Sequence, residues 1–175
     1  NFYFFMIKQM NIAIIGFMGA GKSLISKLLA QLLNRKRISL DDLIEQKEGR
    51  AISDIFKDFG EPYFRKIESQ IVEEISQQKN LIIDCGGGVV INPENIENLK
   101  KKGVLVYLSA SPEIIYKRIK QETHRPLLQT DNPQEKIKEL LNARQSFYQK
   151  ADFTIDTDQK TPEEICQEII RFLKQ

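Results

Sequence analysis

One octapeptide restricts this chain more than any other stretch: Gly16-Phe17-Met18-Gly19-Ala20-Gly21-Lys22-Ser23. It satisfies G-x-x-x-x-G-K-[ST] in full. It follows the apolar run Ile12-Ala13-Ile14-Ile15 and leads into residues 24–33, which are apolar at helical spacing. Strand, glycine loop and helix form the context a phosphate-binding loop requires; a tight turn before a core helix is the weaker reading with flanks of this kind. The glycines let the backbone turn its N–H groups around a β-phosphate, and the helix N-terminus adds its dipole. Lys22 reaches the β- and γ-phosphates, and the Ser23 hydroxyl can bind Mg²⁺. Gly19, Ala20, Gly21, Lys22, Ser23 and Leu24 are therefore the expected nucleotide-binding residues, with Ser23 also a metal ligand.

At 175 residues the chain has the length of one domain, enough for a sheet covered by helices. A formal net charge of +2 is too near neutral to argue for nucleic acid or an acidic membrane as partner. Cys85 and Cys166 are two unpatterned cysteines, which suits a reducing cytosol better than a disulfide framework or a zinc site. The apolar start, Asn1-Phe2-Tyr3-Phe4-Phe5-Met6-Ile7, is too short to span a bilayer and lacks a signal peptide's flanks. Residues 1–9 are expected to be a leader, flexible or non-native, ahead of a single domain over 10–175.

Along the chain, residues 35–40 read as a second strand. Asp41-Asp42 is expected to cap a helix through Lys47 that Gly49 stops. Ser53 is expected to cap a short helix over 54–59, closed by Gly60, and 61–76 is a longer helix with Phe64, Ile67, Ile71 and Ile75 at helical spacing. Leu81-Ile82-Ile83 is a buried strand running into Asp84-Cys85 and Gly86-Gly87-Gly88. Asn92-Pro93, Ser111-Pro112 and Thr161-Pro162 are helix starts with proline in the first turn; Gly103 ends the helix before the strand over 104–108. Residues 122–133 are polar and without period; 134–149 is helical, and Phe153-Thr154-Ile155 is a last strand. Five short strands alternating with helices predict an α/β fold, a parallel sheet covered on both faces. Ligands in such sheets sit at the carboxyl ends of the strands, so the phosphate loop, Asp41, the 86–88 loop and the loop after Leu108 should converge on one cleft.

The chain lacks the N-K-x-D base-reading motif of a GTPase and the length of a motor or helicase, which leaves a small-molecule or nucleotide kinase. Six motifs in order then resemble shikimate kinase: the octapeptide; Asp41-x-x-Ile44-Glu45; Ile55-Phe56, Gly60-Glu61-x-x-Phe64-Arg65-x-x-Glu68; Gly86-Gly87-Gly88-Val89-Val90; Arg125-Pro126-Leu127-Leu128; and Arg144-x-x-x-Tyr148. The resemblance runs from about Asn11 to the C-terminus. It implies a nucleoside-monophosphate-kinase-like P-loop fold, strand order 2-3-1-4-5, a substrate subdomain over about 41–70 and a mobile lid over about 122–133. It also implies transfer of the γ-phosphoryl group of ATP to the 3-hydroxyl of shikimate, with Mg²⁺, by a cytoplasmic enzyme that works as a monomer in aromatic amino-acid biosynthesis.

The resemblance assigns roles residue by residue. Lys22, Asp41 and Arg125 become the catalytic set: Asp41 holds the attacking hydroxyl and takes its proton, and Arg125 reaches the transferring phosphoryl from the lid. Arg65 and Arg144 clamp the shikimate carboxylate, a task suited to the guanidinium fork. Gly86, Gly87 and Gly88 line the substrate, with Gly87 presenting backbone where a side chain would block it. Arg118 stacks on adenine, and Lys160 belongs to the adenine loop. Each has a plainer reading beside it: Asp41 a helix cap, Arg65, Arg118 and Arg144 solvated helix charges, Lys160 a polar loop lysine, 86–88 a flexible turn. His124, the only histidine, has no metal-ligand partners, and Cys85 reads as a small buried filler.

The chain departs from the family at one point. The family carries D-x-D after the second strand, and alignment on Ile44-Glu45 puts Ser39 at the first aspartate and Asp41 at the second. Asp84, at the end of the third strand, is a carboxylate where many relatives have none. The pair of changes suggests a magnesium-shell charge moved from strand 2 to strand 3, and a plain cap on the glycine loop competes equally. Two other functions stay open from sequence alone. Another metabolite kinase of this fold, such as a gluconate kinase, would share Lys22 and Ser23 without the Arg65, Gly87 and Arg144 set. A non-catalytic nucleotide-binding module would explain Ser39 and little else.

Overall fold

Five consecutive buried residues make β1 (Asn11–Ile15) the centre of the molecule. A strand covered on both faces needs apolar groups at nearly every position, which is why its sequence shows no alternation. The computed structural model describes residues 9–121 and 130–175. Around β1, strands β2 (Lys36–Ser39), β3 (Leu81–Asp84), β4 (Gly103–Ser109) and β5 (Phe153–Asp156) form one parallel sheet in the order β2-β3-β1-β4-β5. Helices α1 (Lys22–Leu33), α2 (Leu40–Glu48), α3 (Ile52–Ser76), α4 (Pro93–Lys101), α5 (Pro112–Ile119), α6 (Pro133–Tyr148) and α7 (Pro162–Phe172) cover both sides. The strand order and layers are those expected from the sequence.

Alternation along β1 divides the core. Ala13 and Ile15 join Ile67 and Ile71 of α3 and Leu99 of α4 on one face. Ile12 and Ile14 join Ile25 and Leu29 of α1 and Ile165 and Ile169 of α7 on the other. A third cluster, Phe17 with Ile115, Ile119 and Ile137, fastens the glycine loop to α5 and α6. The fixed loop thus stands at the carboxyl end of the central strand, with packed helices behind it.

Several local expectations are corrected. The cap of α2 is Ser39, whose hydroxyl accepts from the Asp42 N–H; Asp41 and Asp42 occupy the first turn instead. β2 accordingly ends at Ser39, and Leu40 is already helical. Ser53 caps nothing: α3 starts after Ala51, and the carboxylate of Glu45 on α2 accepts from the Ile52 N–H at 2.9 Å. Gly60 does interrupt the helix, with φ 80° and ψ 173°, a conformation glycine takes at little cost and which breaks α3 into the two pieces read from sequence. Gly103 opens β4 instead of closing α4. Pro133 belongs to α6, where Asn132 accepts from the Glu135 N–H, so the unpatterned segment ends earlier than 133. Asn132-Pro133 carries the same cap signal as Asn92-Pro93. Gln9 is already part of the packed chain, its carbonyl accepting from the Asn80 N–H. Residues 1–8 of the expected leader, and residues 122–129 with His124 and Arg125, lie outside the described residues. Among the described residues no helix is long and apolar enough to cross a membrane.

Candidate active site

The ends of β1, β2 and β3 converge as the parallel sheet demands, whereas the loop after Leu108, also expected there, does not line the cleft. A cleft of 310 Å³ is lined by Gly19, Gly21, Lys22, Ser23 and Leu24 of the glycine loop and α1, by Ser39 and Asp41 after β2, and by Asp84, Gly86 and Gly87 after β3. Gly19 has φ 78°, and a Cβ there would stand 2.7 Å from Ile119, so both backbone and packing require glycine. No side chain caps α1 at Gly21, which leaves its first-turn N–H groups directed at the cleft. Lys22 Nζ donates to the Phe17 carbonyl at 3.0 Å, folded along the loop it serves. Ala20 is buried, whereas Leu24 is exposed at the cleft rim.

The Ser23 hydroxyl donates to Asp84 Oδ2 at 2.8 Å. A hydroxyl that spends its one proton on a carboxylate keeps its lone pairs for another partner. Ser23, Ser39, Asp41 and Asp84 therefore bring only oxygen donors to the cleft, the chemistry Mg²⁺ prefers. Among the described residues no three His, Cys, Asp or Glu side chains cluster as a cage.

Asp41 faces the same space from the first turn of α2. Desolvation, followed by the charge of Asp84, raises its carboxyl above the usual aspartate value, while Lys22 pulls the other way. Beside it, Glu68 on α3 is buried, and its carboxyl is also raised, first by burial, against the pull of Arg65. Arg65 holds Glu68 at 2.8 Å and Glu61 at 3.2 Å, and its guanidinium lies 5.0 Å from the Phe64 ring centroid. Opposite, Arg144 on α6 donates to the Gly87 carbonyl at 3.1 Å and stacks over Phe17 at 5.5 Å. Tyr148, one turn on, donates to the same carbonyl at 3.2 Å; burial pushes its hydroxyl up to about 12, so it stays a donor. Asp41 thus lines the cleft with Gly86 and Gly87, while Arg144 and Arg65 hold the glycine run from outside that lining, Arg144 on the Gly87 carbonyl and Arg65 beside Gly88.

The model of the shikimate kinase family matches residues 18–174. The chain belongs to the shikimate kinase family. It is 49% identical to the shikimate kinase of Thermodesulfovibrio yellowstonii over 161 residues, which covers 92% of this chain and 93% of that one. It is 45% identical to that of Caldanaerobacter subterraneus subsp. tengcongensis, covering 92% and 94%. The structure of a shikimate kinase from Acinetobacter baumannii in complex with shikimate superposes with a TM-score of 0.89 at 35% identity, over 98% of this chain and 96% of the other. The enzyme from Aquifex aeolicus gives a TM-score of 0.83 at 36% identity, over 94% and 96%.

In this member of the shikimate kinase family the glycines divide their tasks unevenly. A Cβ on Gly88 would run into the Arg65 guanidinium, and one on Gly86 would stand 3.1 Å from Asp41 Oδ1. A Cβ on Gly87 would meet only ordinary contacts, so the protein itself leaves room there. Arg118 on α5 donates to the Gly19 carbonyl at 3.1 Å and to the Thr157 carbonyl at 3.3 Å, tying the phosphate loop to the loop after β5. Lys160 sits on that second loop and pairs with Glu168 of α7 at 3.0 Å, apart from the cleft lining. Burial, first, pushes the Cys85 thiol well above its ordinary range, as befits a filler. Arg37 went unread in the sequence. It reaches Asp84 Oδ2 at 2.5 Å and Ser26 Oγ at 2.8 Å. The signal was available: alternation along β2 puts residues 37 and 39 on one face, away from buried Ile38.

Proposed function

We propose that this chain transfers the γ-phosphoryl group of ATP to the 3-hydroxyl of shikimate, yielding shikimate 3-phosphate and ADP. The observation that carries the reading is the cleft that joins the phosphate loop and Asp41 to Gly86 and Gly87, with Arg144 on the Gly87 carbonyl and Arg65 against Gly88 at the end of the same glycine run. Shikimate is a small carboxylic acid with three hydroxyls. Two guanidiniums supply forked donors for its carboxylate, and Asp41 accepts the proton of the attacking hydroxyl as its oxygen bonds to phosphorus and ADP leaves. A carboxyl raised above its ordinary value is a better proton acceptor than an exposed aspartate. Lys22 and the α1 N-terminus stabilise the phosphate charge. Arg125, assigned from its motif, is proposed to add a cation to the transferring group, with 122–133 as lid. Arg118 and the loop bearing Lys160 are proposed to border adenine.

Mg²⁺ fits the oxygen donors: Ser23 would hold it and Asp84 would support it from behind through a coordinated water, and bound there it would neutralise β- and γ-phosphate charge. Asp84 then does from β3 what a carboxylate at Ser39 would do from β2. Both cysteines are free and buried, which supports the cytosol as its compartment; a monomer is proposed with it. ADP release in the presence of Mg²⁺, ATP and shikimate, compared with gluconate and nucleoside monophosphates, tests the proposal. Turnover only with shikimate is expected; turnover with gluconate alone would replace the substrate, and none with any acceptor would leave a binding module.

A further inference from the structure

Arg37 is the feature that the proposed reaction does not use. Its side chain is 20% exposed and that of Asp84 7%, so the ion pair is largely withdrawn from water. The two bonds described for Asp84, from Arg37 Nη2 and from the Ser23 hydroxyl, fall on the same oxygen, Oδ2. The Arg37 Nε–H is anchored separately, on Ser26 Oγ, and the Ser26 hydroxyl donates in turn to the Ser23 carbonyl at 3.1 Å. The guanidinium is therefore held at both ends, by α1 and by β3. Its positive charge stands behind the carboxylate, on the strand that carries Ser39.

We infer that Arg37 is a positioning residue and the resident counter-cation of Asp84, and that it limits how tightly the site couples magnesium to nucleotide. The inference rests on the reading of Asp84 as part of the magnesium shell. A carboxylate attracts a divalent cation through its net charge, and a guanidinium in contact with it cancels most of that charge. Oδ2 is engaged by Ser23 and Arg37, which turns Oδ1 into the oxygen for a coordinated water. Arg37 thus fixes which oxygen is offered and weakens its field, so the cation binds with the nucleotide and leaves with it. Without the guanidinium, Asp84 would present a full charge and hold the metal more strongly.

The test is the ratio of dissociation constants of a non-hydrolysable ATP analogue, measured by calorimetry with EDTA and with saturating Mg²⁺, on the whole chain without shikimate. Arg37→Gln should raise this ratio by roughly five- to tenfold, within the usual span of coupling between two ligands. Arg37→Lys, which keeps the charge, should stay within about twofold of the parent. Asp84→Asn should lower the ratio. If Asp84→Asn leaves it unchanged, the magnesium reading of Asp84 fails and the inference falls with it. If Asp84→Asn lowers it while Arg37→Gln leaves it unchanged or lowers it, Arg37 is a structural tie and only the inference is overturned. Should Arg37→Gln not fold, Arg37→Lys decides: a ratio clearly below the parent's overturns the inference.

Discussion

Ser39 and Asp84 are direct partners on the last rung of the β2–β3 ladder. A carboxylate on either residue therefore projects from neighbouring strands at the same level, beside the phosphate loop. Moving the charge one strand sideways keeps it within reach of Ser23, which Asp84 contacts at 2.8 Å. Ser39 is left to cap α2 through Asp42.

Asp84→Asn is expected to raise the Mg²⁺ concentration needed for half-maximal activity, and adding Ser39→Asp to restore it. An Asp84 that merely capped the glycine loop would tolerate the amide. Arg37 leans on this carboxylate instead, so Asp84→Asn should also cost about 1.5–3 kcal/mol of stability, the range for a hydrogen bond to a charged group. Magnesium titration of initial rates and denaturant melts check both parts; an unchanged magnesium requirement would reduce Asp84 to a structural partner of Arg37.

Asp41→Asn should abolish most turnover, about 10²–10⁴-fold for loss of a general base, yet make the protein more stable near neutral pH. The sign follows from the raised carboxyl. The folded state holds the Asp41 proton more tightly than the unfolded chain, so stability is greatest when the group is protonated and is lost as pH rises through its folded value. Asparagine removes that loss. Thermal melts should show the variant above the parent at about pH 7 and the gap narrowing towards about pH 4. Equal melting at both would mean that the carboxylate sits without cost.

Of the two substrates, Gly88→Ala should affect shikimate alone. The added methyl would press on the Arg65 guanidinium, the far end of a flexible side chain, which can swing aside while the backbone stays. Loss of one charge-assisted contact predicts a rise in KM for shikimate of roughly tenfold to a hundredfold, with ATP affinity nearly unmoved and the melting temperature lowered, because the displaced Arg65 leaves buried Glu68 without its partner. Steady-state kinetics in both substrates distinguish this from a misplaced glycine loop, which would damage ATP binding as well.

Arg144→Lys keeps the charge over Phe17 but not the fork that reaches the Gly87 carbonyl. KM for shikimate should rise by about tenfold or more, while ATP affinity barely changes. A parallel loss of ATP affinity would place Arg144 on the nucleotide side.

The elements written in contiguous residues were legible without a structure. The apolar run into the octapeptide, the proline-bearing helix starts and the glycine break at Gly60 each act within a few residues, where steric limits on φ and unmet N–H groups leave little choice. From them followed the sheet, its strand order through the family resemblance, and the convergence of the phosphate loop, Asp41, Gly86 and Gly87 on one cleft, though not of the loop after Leu108. At α2 the cap candidates Ser39 and Asp41 stood side by side, and at the start of α3 the choice fell to a contact between helices, the Ile52 N–H meeting Glu45 of α2.

What only the tertiary structure decided are the partners of charges far apart in the chain. Arg37 and Asp84 are separated by 47 residues, and Arg144 and Gly87 by 57. A lone arginine in a four-residue strand reads as solvated, because its charge is stable in water and local sequence names no partner for it. Parallel pairing of β2 with β3 sets their relative register, and helix α1 with Ser26 closes the remaining side. Burial then makes the carboxylate and the guanidinium depend on each other, since neither charge is stable alone away from water. The residue types at the site were thus present in the sequence, whereas their pairing arose from strand register and from the low dielectric that packing creates.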